Sequence, residues 1–134
     1  MVTIRAMANT NAELIETLYR AYTTGEVAEF DGYTDDFVWT EVGSNERSGV
    51  YRGKQGSLEH AMQLAVLTEG TIATSVIDIL PGNDHVAVLE QATAKRNGRE
   101  LDMECCSLYT MRDGKIAGLQ VLPLDPAGWD HFWS

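Results

Sequence analysis

Residues 71–122 read TIATSVIDILPGNDHVAVLEQATAKRNGRELDMECCSLYTMRDGKIAGLQVL, and three turn signatures divide them. Pro81-Gly82-Asn83-Asp84, Asn97-Gly98 and Asp113-Gly114 separate runs rich in Val, Ile, Leu, Thr and Tyr. Asn-Gly supplies two residues tolerant of positive φ, which a type I′ hairpin turn needs. The stretch therefore predicts four antiparallel strands in series. A curved sheet of this kind has to cover its apolar face, and the predicted helices all lie upstream of it.

With Asn97-Gly98 as a two-residue turn, Arg96 faces Arg99. Counting outward sets Ala92 against Met103, Glu90 against Cys105, Val88 against Ser107 and Val86 against Tyr109. Leu101, Met111 and Ala94 share that face, which is the more apolar one. The opposite face, with Leu89, Gln91, Cys106 and Leu108, is mixed and suits a partly covered surface such as a subunit contact. Arg112-Asp113-Gly114 is read as a three-residue loop, because that register adds Ala117, Leu119 and Val121 to the apolar face, whereas a two-residue turn would add Gly118 and Gln120. Glu90 is the anomaly of the inner face. A carboxylate there must be paired, hydrogen-bonded or protonated. It either reaches water or an arginine near the strand edge, or it is an acid of raised pKa suited to proton transfer.

Upstream, Thr10-Asn11-Ala12-Glu13 has the form of a capping box. Leu14, Ile15, Leu18, Ala21 and Tyr22 follow at helical spacing, and Gly25 can end the helix. A short second helix is expected near Glu26 to Asp31, carrying Val27 and Phe30 inward, with Gly32 closing it. Asp35-Asp36 reads as a turn into a strand from Phe37 to Val42, and Gly43 to Gly49 as irregular. A third helix is expected from about Lys54 to Thr68, with Leu58, Ala61, Met62, Ala65 and Val66 as its buried stripe and Gly70 past its end. The final stretch, Pro123 to Ser134, carries Trp129, Phe132 and Trp133. Exposing three large rings would forfeit several kcal/mol at ~25 cal/mol per Å², so the tail is expected to dock, on its own domain or on a second subunit.

A chain of 134 residues with 44% hydrophobic and 22% charged residues fits one globular domain, residues 1–134. Its formal net charge of -10 opposes nucleic acid and anionic membrane surfaces as partners. Cys105 and Cys106 are adjacent in a predicted strand, so a disulfide between them is implausible and two buried thiols are expected. Met1 to Asn9 lacks the apolar run of a signal peptide, and no run could span a bilayer, which predicts a cytoplasmic protein. His60, His85 and His131 are dispersed and read as surface residues. No metal-ligand spacing, nucleophile triad or phosphate loop is present, so no cofactor and no metal are expected.

The order of elements, Tyr51-Arg52-Gly53-Lys54, Arg112-Asp113-Gly114-Lys115 and the ending Trp129-Asp130-His131-Phe132-Trp133-Ser134 resemble the nuclear transport factor 2-like superfamily. Within it the chain is similar to the SnoaL-like and ketosteroid isomerase-related proteins, from Asn11 onward. The resemblance implies an α+β fold of the cystatin-like kind. In it a conical barrel of curved mixed or antiparallel sheet is wrapped by about three N-terminal helices around a deep pocket, with dimerisation through the outer sheet face.

The match to ketosteroid isomerase is closest over Val42 to Gly49, which follows that enzyme's general-base aspartate. Aligning the two acids before the strand puts Glu41 at the base position, and a gapless match puts Thr40 there. Glu41 is favoured because Phe37 and Trp39 then share its parity. The enzyme's protonated aspartate, which stabilises the oxyanion, corresponds to Ser107. Its oxyanion-binding tyrosine corresponds to Leu18, with Tyr19 beside it and Tyr22 one turn on, while Tyr33 matches a pocket tyrosine.

Two functions follow. In the first the protein is a cofactor-independent enzyme acting on a small hydrophobic molecule by isomerisation, cyclisation, dehydration or epoxide opening. Glu41 is its base, and Glu90, kept neutral by its setting, is its acid. The wall around the substrate is then Leu18, Tyr22, Tyr33, Trp39, Thr40, Met62, Met103, Cys105, Ser107 and Tyr109. In the second the protein is a non-catalytic binding or dimerising domain, whose two glutamates hydrogen-bond to Tyr22, Tyr33 or Tyr109.

Overall fold

Asn97 and Gly98 (φ 49° and 75°) and Asp113 and Gly114 (φ 52° and 75°) all adopt left-handed backbone, and these two tight turns set the architecture. A computed structural model describes residues 4–134, with side chains from Met7 onward. Residues 1–3 of the stretch Met1 to Asn9 lie outside it. In order come α1 (Ile4–Thr24), a single 3₁₀ turn (Val27–Glu29), β1 (Tyr33–Glu41), β2 (Gly49–Arg52) and α2 (Gly53–Leu67). Then follow β3 (Ala73–Pro81), β4 (His85–Arg96), β5 (Arg99–Arg112), β6 (Lys115–Pro123) and α3 (Pro126–Trp133). The six strands form one sheet in the order β2-β1-β6-β5-β4-β3. Only the β1–β6 pair is parallel. The fold is the α+β arrangement the sequence predicts, a curved mixed sheet with helices packed on it.

The β4–β5 register is the one counted from the turn: Arg96 pairs with Arg99, Glu90 with Cys105 and Val86 with Tyr109. The next hairpin differs. Arg112 pairs directly with Lys115, so the turn has two residues, and Met111 faces Ile116. The ladder then slips, leaving Ala117 unpaired, and resumes with Thr110 opposite Gly118 and Tyr109 opposite Leu119. This bulge resets the parity of the strand. Ile116 and Leu119 are buried and Val121 half-buried, whereas Ala117 does not join the inner ladder.

The helices depart further from expectation. Ile4 to Asn9 already continue as helix, so Thr10 is not a cap. Asn11 instead faces the sheet, and its Nδ2 donates to the Gly82 and Asn83 carbonyls at 3.0 Å each, pinning α1 to the β3–β4 turn. The second predicted helix is only the 3₁₀ turn. Asp35 and Asp36 are exposed strand residues rather than a turn, and part of the stretch read as irregular forms β2. The predicted stripe of α2 is wrong by about a third of a turn. Ser57, His60 and Thr68 are buried, with Ala61, Leu64 and Leu67 half-buried, while Leu58, Met62, Ala65 and Val66 face outward. The helices are also not all upstream, because the aromatic tail forms α3. Asp125 caps it, accepting from the Gly128 N–H, and Pro126 sits in its first turn, where no donor is needed.

Two apolar clusters line the inner face. Ile15 and Leu18 of α1 pack on Phe37, Val86, Val88, Tyr109, Ile116 and Leu119. Trp129, Phe132 and Trp133 of α3 pack on Ala92, Ala94, Leu101 and Cys105, with Leu64 and Leu67 of α2 beside them. The tail thus closes the cup of its own chain. Asp130 Oδ1 accepts from Asn45 Nδ2 (2.7 Å) and the Ser44 N–H (3.0 Å), stitching α3 to the β1–β2 loop. No helix among the described residues is long and apolar enough to cross a membrane.

Candidate functional site

Alternation along β1 turns Phe37, Trp39 and Glu41 into the cup and Val38 and Thr40 to the other side. Glu41 is 5% exposed, and two cations or potential cations meet its Oε1. Arg47 Nη2 lies at 3.4 Å and His60 Nε2 at 3.3 Å. Arg47 comes from the turn between β1 and β2 and is fully buried. Its Nη1 also donates to the His60 carbonyl (3.1 Å) and Gln63 Oε1 (3.3 Å), and its Nη2 lies 3.0 Å from His60 Nε2. Burial pulls the guanidinium pKa down and the Glu41 charge opposes that shift. Tyr51 stacks on the His60 ring at 3.6 Å, Trp39 meets it edge-on at 4.7 Å, and Arg47 lies 5.3 Å from the centre of the Trp133 ring.

This end of the cup is short of hydrogen-bond partners. Nine buried side-chain atoms among the described residues have none. All but Thr34 Oγ1 and Asn83 Oδ1 belong to Trp39, Glu41, Arg47, Ser57, His60, Trp129 and Trp133. Each such atom costs about 1–3 kcal/mol if it stays unpaired, so a concentration of them marks a place where the fold has been built for something else. The Glu41 atom in question is Oε2, an acceptor. Arg47 Nε and the three indole nitrogens are donors.

A second polar station lies on the opposite wall. Glu90 Oε2 accepts from Tyr19 Oη at 2.8 Å and its Oε1 from Ser107 Oγ, and Tyr109 donates to Tyr19 at 2.9 Å. Burial raises the Glu90 pKa above the usual carboxyl range, with the Ser107 and Tyr19 hydrogen bonds working against it. Tyr19 is raised too, by burial and then by the Glu90 charge. The same two causes push the Cys105 thiol up to about 12, so it lines the wall as a neutral group. Glu41 is level with Val121, and Val121 with Ser107. Ser107 in turn is level with Val88, so Glu90 lies three strand spacings, about 14 Å, across the sheet from Glu41 and two residues further along its strand.

Trp39, Glu41, Glu90, Met103, Cys105, Ser107 and Tyr109 all face the cup. Leu18 does as well, as core beneath Tyr109, and the tyrosine that reaches the polar station is its neighbour Tyr19. Tyr33 lies within β1 against Phe30 and Phe37. Tyr22 is half exposed along its length, but its hydroxyl turns inward to hydrogen-bond with Tyr33, and burial followed by the Glu90 charge raises its pKa. Two candidates do not line the cup: Thr40 has the wrong parity, and Met62 is 61% exposed because α2 is rotated. His60, expected at the surface, is 2% exposed for the same rotation. The deep pocket expected from the resemblance is filled at this end by the α3 rings. Two surface hollows, about 230 Å³ beside Arg20 and Phe30 and about 380 Å³ beside Asn97, lie outside the cup. No three His, Cys, Asp or Glu among the described residues are grouped to hold a metal ion.

A helix-wrapped curved sheet with acids on its concave face defines a nuclear transport factor 2-like α+β cup. The profile of the SnoaL-like domain matches residues 15–119, and the chain belongs to that family. No curated protein matches it significantly. Among solved structures it is similar to Bal32a from a soil-derived mobile gene cassette, with 24% identity, TM-score 0.87, and 96% of this chain and 99% of that one covered. It is also similar to TerC, co-crystallised with polyporic acid, at 18% identity and TM-score 0.79 over 92% and 97%. A provisionally assigned SnoaL-like polyketide cyclase from Jannaschia sp. CCS1 matches at 19% identity and TM-score 0.70 over 96% and 94%. At these identities the likeness is one of fold.

Proposed function

We propose that the protein is a cofactor-independent acid/base enzyme of the isomerase, cyclase or dehydratase type, acting on a small, largely apolar carbonyl compound. One observation carries the reading: Glu41 is buried and held at Oε1, while its Oε2 has no partner among the described residues. A carboxylate pinned by one oxygen and open at the other is an oriented base. In the reaction a C–H bond next to the carbonyl breaks, its proton goes to Glu41 Oε2, and its electron pair moves onto the carbonyl oxygen. That charge needs an N–H donor, and buried donors without partners are present at this end of the cup; one well-placed donor in a dry site contributes about 3 kcal/mol to the transition state. Glu90, whose pKa burial raises against the pull of its two hydrogen bonds, is the acid assigned to the opposite wall. Entry requires α3 to lift from the mouth. The SnoaL-like domain, and the likeness in fold to TerC, a protein co-crystallised with polyporic acid, support a small-molecule ligand in the cup.

The test is deuterium uptake from D2O into β-tetralone, an apolar ketone with acidic α C–H bonds, followed by mass spectrometry. Wild-type protein is expected to accelerate exchange and Glu41→Gln to lose about a hundredfold or more of that acceleration. Equal rates for the two proteins, including no acceleration by either, would refute the assignment of Glu41.

A further inference from the structure

His60 adjoins both Glu41 and Arg47, and its hydrogen-bond geometry is specific. The shortest polar contact of its ring is Nε2 to Arg47 Nη2 at 3.0 Å. A guanidinium has donors and no acceptors and does not give up its proton in proteins. If Nε2 carried a hydrogen, two N–H groups would face each other at that distance, so Nε2 is the acceptor. The ring proton is then on Nδ1. The 3.3 Å approach of Nε2 to Glu41 Oε1 fits this state, because Arg47 Nη2 has two hydrogens and sits within 3.4 Å of both acceptors, one hydrogen serving each.

Nδ1 is buried and has no partner among the described residues. The ring is clamped between the stacked Tyr51 and the edge of Trp39, so its N–H has a fixed direction. We propose that His60 is a second catalytic residue, a neutral imidazole whose Nδ1–H donates to the carbonyl oxygen of the substrate while Glu41 Oε2 takes the α proton. This deepens the function proposed above and rests on it. A neutral imidazole suits the task, since its N–H stabilises the developing enolate oxygen without adding a second cation beside Arg47. Arg47 is then a positioning residue: it holds Oε1 of the base and fixes the tautomer of the donor with the same nitrogen. The bonds balance, for the electron pair of the broken C–H bond ends on the oxygen bound by Nδ1–H and the proton ends on Glu41.

The donor and the base are separable by experiment. Difference infrared spectroscopy of carbonyl-labelled β-tetralone bound to the protein reads the donor alone. A lowered C=O stretching frequency is expected with wild type and with Glu41→Gln, and its loss with His60→Phe, which keeps a ring between Tyr51 and Trp39. Deuterium exchange should fall about a hundredfold in His60→Phe as well. Long-range proton–nitrogen NMR on wild-type protein assigns the tautomer without any variant, and a protonated Nδ1 with a bare Nε2 is expected. A protonated Nε2, an unshifted carbonyl with wild type, or a shift that survives in His60→Phe would each overturn the role given to His60. In those cases Glu41 stands if Glu41→Gln still loses exchange. If Glu41→Gln keeps full exchange while the carbonyl shift depends on His60, the base is wrong and the donor is right.

Discussion

Replacing Arg47 by Met removes the charge that accompanies Glu41 into the interior. The two side chains are 0% and 3% exposed, so water does not take over the role of the lost partner. Breaking a buried pair from one side costs about 3–5 kcal/mol, most of it the penalty of the charge left behind. A domain of this kind has about 5–15 kcal/mol in total, so Arg47→Met is expected to remove a large part of its stability. Unfolding entropy near about 2.1 cal/mol/K per residue gives roughly 0.28 kcal/mol/K for 134 residues, and the loss then lowers Tm by about 11–18 °C. Urea titration followed by circular dichroism measures it directly. Adding Glu41→Met to Arg47→Met should return most of the stability, because a pair of well-packed apolar side chains is often as stable as the ion pair it replaces. A single variant within about 1 kcal/mol of wild type, or a double variant no better than the single one, would show that the Glu41–Arg47 charges do not depend on each other as argued.

Two further outcomes follow from the same interior. The Glu90 pKa is raised by folding, so protonated Glu90 favours the folded state: its contribution is present at acid pH and is lost as pH rises through the folded-state value. Glu90→Gln should therefore gain stability relative to wild type as pH goes from about 4 to about 7, and a difference that shrinks over that range in urea melts would contradict the direction given to this group. Trp133→Ala removes a fully buried ring between Trp129, Phe132 and Arg47, and is expected to cost about 3–5 kcal/mol; a loss under about 1 kcal/mol would mean that α3 does not close the cup in solution.

The sheet was legible where short-range turn chemistry fixed long-range pairing. Asn97-Gly98 admits one tight register, and every pair from Arg96–Arg99 to Val86–Tyr109 follows from it. The next hairpin was misread because a pattern of apolar residues is degenerate under a bulge. A three-residue loop and a two-residue turn with Ala117 extruded both bring Leu119 and Val121 inside, and only the buried Ile116 separates them. For α2 the stronger apolar stripe, Leu58, Met62 and Val66, is the exposed one, and the buried side begins with Ser57 and His60. A spacing of Ser57, His60, Ala61 and Leu64 was there to be found, but a rule that sends polar residues outward discards it. Arg47 left even less trace, since it sits in a Gly-, Ser- and Asn-rich loop, where burial of a cation is the last expectation.

Three of these misreadings share a location: α2, Arg47 and His60 meet at Glu41, whose own Oε2 is one of the buried atoms without a partner. The rest of the cup obeys local rules closely, with apolar residues inward on β4, β5 and β6 and left-handed residues at the turns. Several departures from local rules that meet at one buried carboxylate are what a site, more than a loosely packed core, produces. The Glu90 station does not share this property, because both its oxygens are already paired. Of the two acids the sequence picks out, the one with an unpaired oxygen is therefore the one to which base chemistry is assigned, and the paired one is left the quieter part.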